Sequence, residues 1–170
     1  MKYFSMFSGM GGFEKGLEGH ECIGMSEINK YANMVLKYKF PKVINYGDAT
    51  KINPYELPEF DMLCGGVPCQ SWSIAGKRKG FDDERGNMWF EVFRIAKVKK
   101  PKYLLLENVK GLLSHDNGKS FELLCEKICE IGYAIDFTIL NSKNFGVPQN
   151  RERVFILAIR KDLLSKDELI

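Results

Sequence analysis

Tyr103-Leu104-Leu105-Leu106 is a continuous apolar run. A strand with one wet face alternates apolar and polar residues, whereas a run without alternation marks a strand covered on both faces, as in a parallel sheet. Such a strand needs helices above and below it, and the sequence supplies them. Short apolar segments predict strands over Tyr3–Phe7, Glu21–Ser26, Lys42–Tyr46 and Phe60–Cys64, then Lys102–Leu106. Helices are predicted over Phe13–Leu17, Lys30–Lys39 and Asn87–Lys99, the last with Met88, Val92, Ile95 and Ala96 at helical spacing. Ser120–Ile131 reads as a helix stopped by Gly132, and Ala134–Leu140 and Arg153–Ile159 as late strands able to pair antiparallel. This alternation predicts an α/β fold, a doubly wound and mostly parallel sheet, in one domain over residues 1–170.

Sheets of this kind gather ligands at the C-terminal ends of their strands, and several polar groups fall there. Gly65-Gly66-Val67-Pro68-Cys69-Gln70-Ser71 follows the apolar run Phe60–Leu63. The glycines permit a sharp turn, and Pro68 fixes φ just before the cysteine. Cys69 is thereby presented as a nucleophile would be; the competing reading is a buried structural thiol. Phe7-Ser8-Gly9-Met10-Gly11-Gly12-Phe13 follows the first strand and opens a helix, a weak nucleotide-type turn that departs from GxGxxG. Glu27 ends the second strand, about 20 residues beyond that turn, where an acid accepts ribose hydroxyls. Asp48 follows the third strand in register with both. Read alone, Glu27 is a helix-capping carboxylate and Asp48 a turn aspartate. Glu107 follows the buried strand on the same edge as Cys69. Arg151 and Arg153 lie two apart before the last strand, and project together if the segment is extended. The polar stretch from Ser71 to Asn87 has no clear period, and a loop of that length is usually functional.

The five cysteines, Cys22, Cys64, Cys69, Cys125 and Cys129, form no CxxC pair and no zinc spacing. No metal is expected, and free thiols in a reducing cytoplasm are. Cys125 and Cys129 share a helix face, consistent with core packing. No apolar run approaches the ~20 residues of a membrane span, and Met1-Lys2-Tyr3-Phe4-Ser5 carries no signal-peptide pattern. The net charge of +3 permits a polyanionic partner without demanding one.

Taken in order, these segments resemble one family, the DNA cytosine C5-methyltransferases, over Met1 to about Arg160. Phe7-Ser8-Gly9-Met10-Gly11-Gly12 is similar to the family's first motif, Gly66-Val67-Pro68-Cys69-Gln70 to its catalytic motif, and Glu107-Asn108-Val109 and Gln149-Asn150-Arg151-Glu152-Arg153 to its acid and arginine motifs. The resemblance implies a Rossmann-like fold of the S-adenosylmethionine-dependent type and DNA methylation of the restriction-modification kind. It assigns Phe7, Ser8, Gly9, Gly11, Gly12, Phe13, Glu27, Ile28, Asp48, Ala49 and Pro68 to S-adenosyl-L-methionine and its product S-adenosyl-L-homocysteine. Glu27 takes the ribose in that assignment and Asp48 the adenine. Cys69 would add to C6 of a flipped cytosine, Glu107 would bond its N3 and amine edge, and Arg153 would hold O2. Arg151 would fix that arm or Glu107. Gln70, Ser73, Lys77 and Arg85 would contact DNA, within a loop that resembles the family's mobile catalytic loop.

The family pattern continues beyond the arginine motif with a target-recognition domain and a final segment that completes the cofactor site. A single catalytic domain incomplete at its C-terminus is therefore expected, with a second polypeptide carrying the missing parts. The expected setting is a cytoplasmic protein of a prokaryote or phage. The alternatives are a truncated or non-catalytic cofactor-binding subunit of the same fold and an RNA cytosine methyltransferase. A thiol-dependent dinucleotide oxidoreductase leaves Glu107 and the two arginines without a role.

Overall fold

The computed structural model describes residues 1–68 and 88–165. Six strands, β1 (Lys2–Met6), β2 (Glu21–Ser26), β3 (Met62–Gly66), β4 (Tyr103–Val109), β5 (Tyr133–Asn141) and β6 (Glu152–Arg160), form one sheet in the order β2-β1-β3-β4-β6-β5. Pairs β1–β2, β1–β3 and β3–β4 are parallel, and β6 runs antiparallel to both neighbours. The last of the described strands thus lies between β4 and β5. Among the described residues the α-helices are α1 (Gly12–Gly16), α2 (Lys30–Lys39), α3 (Met88–Lys99) and α4 (Lys119–Glu130).

One face of the sheet is packed over β1, β3, β4 and β6 and opens at the edge strand β5, where Phe137 and Ile139 lie opposite Ile156 and Val154 but stay exposed. Phe4, Met6, Leu63, Leu104, Leu106, Val154, Ile156 and Ala158 meet Trp89, Val92, Ile95 and Ala96 of α3 and Leu124 and Ile128 of α4. Each fully buried aliphatic side chain there contributes roughly 1.5–3 kcal/mol. On the other face, Tyr3, Met62 and Cys64 pack against Phe13 and Leu17 from α1 and the loop after it. Coverage on that side is partial: Tyr103 and Leu105 are half-buried, and Leu157 is 41% exposed. Glu14 of α1 is buried, and neither carboxylate oxygen has a hydrogen-bond partner among the described residues. A helix on each face is the doubly wound arrangement expected from the alternation.

Several boundaries move, and one strand does not form. Segment 42–46 makes only an isolated bridge, Met25 to Asn45. The next rung is taken by the Asn45 side chain instead of backbone. β1 stops at Met6, because Phe7 takes φ 54° and leaves the sheet. β3 starts later than expected and includes Gly65, where an added Cβ would lie 2.3 Å from the Met6 carbonyl oxygen. β4 runs on to Val109, so Glu107 sits inside its strand rather than beyond it, and β6 starts at Glu152, one residue before the expected start at Arg153. The late antiparallel pair forms as read, from Tyr133↔Arg160 to Asn141↔Glu152.

Candidate active site

The glycine turn begins where β1 ends. Ser8 N–H donates to Ser26 O of β2 at 3.2 Å, and its buried hydroxyl lies 3.0 Å from Ser5 Oγ. Phe7, Gly9 and Gly11 all adopt positive φ. A Cβ on Gly9 or Gly12 would meet nothing within 4 Å, whereas one on Gly11 would lie 2.6 Å from the Phe40 ring. Gly11 is therefore needed for packing, and Gly9 and Gly12 leave open space above the turn. Glu27 reaches that space: its Oε2 accepts from Gly9 N–H at 2.7 Å and its Oε1 from Asn29 N–H at 2.7 Å. The capping role of Glu27 is thus partial, since Asn29 caps α2 through Tyr31 and Ala32 N–H.

Asp48 accepts from Thr50 N–H at 3.0 Å and Thr50 Oγ1 at 2.8 Å. These bonds hold its carboxyl below the usual carboxylate range, so it is anionic near neutrality. The short 3-10 turn after it, Ala49–Lys51, is clamped from behind by Arg94 of α3. Arg94 Nη2 donates to Ala49 O at 2.9 Å and Nη1 to Ile52 O at 2.7 Å, with Nε on Glu91. Ala49 is buried and Ile28 is 73% exposed beside Glu27. Phe13 packs toward Tyr3, Met62 and Cys64. The turn thus leaves open space at Gly9 and Gly12 with the Glu27 carboxylate at its edge.

A second group of residues assembles on β4 and β6. Arg153 Nε lies 2.9 Å from Glu107 Oε1. In the ladder Glu107 opposes Phe155 and Val109 opposes Arg153, so the ion pair is a diagonal contact on one sheet face. A Cβ on Gly66 would come within 3.1 Å of Glu107 Oε2, so the missing side chain there leaves room for this carboxylate. Glu107, Arg151 and Arg153, with Leu140, Phe145 and Phe155, line a cavity of about 390 Å³. The two arginines project together, as their spacing required. Arg151 is set by Asn141, whose Oδ1 accepts from Arg151 N–H at 3.1 Å and whose Nδ2 donates to Asn150 at 2.6 Å.

Between the two groups stands β3. Val67 N–H donates to Glu107 O at 3.2 Å, and Asn108 Nδ2 donates to Val67 O at 2.9 Å, which ties the approach to Pro68 onto β4. Cys69, Gln70, Ser73, Lys77 and Arg85 lie outside the described residues. Among the described cysteines, burial pushes the Cys64, Cys22 and Cys125 thiols up, which favours their protonated form. Asn45, Arg94, Asn108 and Asn141 were given no role from sequence. Their partners are distant in the chain, and no local spacing signals them. Among the described residues, no cluster of His, Cys, Asp or Glu is arranged to hold a metal, and no helix is long and apolar enough to cross a membrane.

The family model for C-5 cytosine-specific DNA methylase matches residues 1–168. The orphan methyltransferase M.SPRI of Bacillus phage SPR is 47% identical, covering 99% of this chain and 40% of its own length. The type II methyltransferase M.HhaI of Haemophilus parahaemolyticus is 41% identical, covering 96% of this chain and 50% of its own length. The chain thus spans half or less of these curated relatives. The crystal structure of S. pombe Dnmt2 methyltransferase superposes with a TM-score of 0.78 at 22% identity, over 95% of this chain and 51% of that one, a likeness of fold.

Proposed function

Because the chain belongs to the C-5 cytosine-specific DNA methylases, we propose that it forms the catalytic and cofactor-binding part of an enzyme that methylates cytosine at C5 in DNA. The observation that carries this reading is the Glu107–Arg153 pair at the mouth of a cavity, one strand away from the turn that leads to Cys69. A carboxyl beside a guanidinium matches the N3–O2 edge of cytosine, which offers one nitrogen and one oxygen acceptor. Glu107 delivers a proton to N3 while Cys69, as thiolate, forms a bond to C6, and electron density moves to C5. S-adenosyl-L-methionine, when bound, supplies the electrophilic methyl group. Once C5 carries the methyl group, N3 returns its proton to Glu107, and loss of the C5 proton to a base expels the Cys69 thiolate and restores the aromatic ring.

Phe7, Ser8, Gly9, Gly11, Gly12, Phe13, Glu27, Ile28, Asp48, Ala49 and Pro68 make up the cofactor side of this reading. Glu27 accepts from the ribose hydroxyls and gives up its bond to Gly9 N–H to do so; Asp48 accepts from the adenine amine. Arg153 holds O2, and Arg151 braces the arm. Stacked bases cannot reach such a cavity, so the cytosine is turned out of the duplex. Gln70, Ser73, Lys77 and Arg85 contact the DNA, making binding steeply salt-dependent. Target reading comes from polypeptide beyond the matched portion of the relatives, in continuation of this chain or on a second one. The setting that fits is the cytoplasm of a bacterium or of a phage-infected cell. Methyl transfer from labelled S-adenosyl-L-methionine to duplex DNA, compared between Cys69 and Cys69→Ser proteins, tests the assignment. Transfer at equal rates by both would refute it.

A further inference from the structure

Asn45 does with a side chain what the unformed strand would have done with backbone. β2 and segment 44–46 begin a parallel ladder: Met25 N–H donates to Ile44 O at 2.9 Å and Tyr46 N–H to Met25 O at 2.8 Å. The next rung would join both backbone groups of Glu27 to residues 46 and 48. The Asn45 amide makes that rung instead. Its Oδ1 accepts from Glu27 N–H at 3.1 Å, and its Nδ2 donates to Glu27 O at 3.1 Å. The same Oδ1 accepts from Gly47 N–H at 2.9 Å, and Nδ2 also donates to Asn33 Oδ1 at 2.7 Å. Asn33 Nδ2 in turn donates to Glu27 O at 3.1 Å. Both donor hydrogens and both acceptor sites of the Asn45 amide are used, which fixes its orientation. Released from pairing, the backbone turns at Gly47, φ 71°, and its carbonyl accepts from Ser26 Oγ at 2.7 Å. Asp48 follows from that turn.

We infer that Asn45 is a positioning residue of the cofactor site: it sets the distance between Glu27 and Asp48, and so the register of the ribose hydroxyls against the adenine amine. This rests on the S-adenosylmethionine reading of those two acids. Only the carboxamide at this length serves. An aspartate would accept from Glu27 and Gly47 but cannot donate to Glu27 O or Asn33, and adds a charge beside two acids. An alanine would leave the Glu27 and Gly47 groups to water, which reaches this exposed corner. The fold is then kept while the spacing is lost.

The test is calorimetric binding of S-adenosyl-L-homocysteine by the unaltered protein, Asn45→Ala and Asn45→Asp, with thermal unfolding of each. Affinity is expected to fall about tenfold in Asn45→Ala and further in Asn45→Asp. The unfolding midpoint of Asn45→Ala should stay within about 3 °C. In a methyl-transfer assay KM for the cofactor rises while kcat and the KM for DNA hold. Unchanged affinity in both variants, with the unaltered protein binding, overturns the assignment alone. An affinity loss matched by a collapse of the unfolding midpoint makes Asn45 merely structural and also overturns it. Failure of the unaltered protein to bind overturns the cofactor reading, and this assignment with it.

Discussion

Asp48 and Glu107 are both carboxylates at one sheet edge, yet their surroundings ask different work of them. Asp48 is held anionic by two bonds from Thr50. Its folded pKa is depressed, so the contribution of its charge is complete above the unfolded value and is lost as pH falls through the lower folded one. The part of cofactor affinity that depends on the Asp48 charge should therefore hold from neutrality down through the ordinary carboxylate range, about pH 4, and be lost only below it. In Thr50→Val, which removes the hydroxyl donor, the fall should begin at higher pH; S-adenosyl-L-homocysteine titrations across pH check both. Glu107 has a guanidinium on one side and open cavity on the other. Glu107→Gln keeps the volume but cannot deliver a proton, so kcat should drop by about 10²–10⁴ with unfolding unchanged. A Glu107→Gln protein that retained full turnover in the methyl-transfer assay would remove Glu107 from the chemistry.

At the scale of elements, the short turn after Asp48 depends on a helix it is not part of. Arg94→Met would strip charge-assisted bonds from the Ala49 and Ile52 carbonyls. The guanidinium is partly exposed, and solvent screening limits the expected loss to about 1–2 kcal/mol in denaturant unfolding. Gly65→Ala should cost more than Arg94→Met, because its Cβ would collide with backbone rather than a movable side chain. These elements also show what sequence could and could not convey. The Leu104-Leu105-Leu106 run announced β4, since apolar content alone marks a central strand; only its reach to Glu107 was hidden, because nothing apolar marks that extension. The glycine turn, Glu27, Glu107 and the arginine pair were legible through order and spacing along the chain. Segment 42–46 was misread because its apolar pattern is real while the pairing partner is an amide side chain. Arg94 and Asn141 were silent, since each acts on carbonyls or amides brought near only by the fold.

The molecule as a whole is unevenly covered. Helices α3 and α4 cover one face over β1, β3, β4 and β6, whereas Leu105 and Leu157 on the other remain partly open and Glu14 is buried without a donor among the described residues. A buried carboxylate without a partner costs free energy. Glu14→Met should therefore raise the unfolding free energy of this chain by about 1–3 kcal/mol; equal or lower stability in urea would show that Glu14 is satisfied in solution. The strand order carries a consequence of another kind. β6 is made last and inserted between β4 and β5, both already synthesised. On a ribosome β1 to β3 can assemble early from near neighbours, but the slot beside β4 stays empty until β6 emerges. Glu107 meets Arg153 only when that slot fills. Completion of the Glu107–Arg153 pair and of the β4–β6 ladder are one event in time, so, on the function proposed above, a nascent or partly unfolded chain has its nucleotide side before its cytosine side.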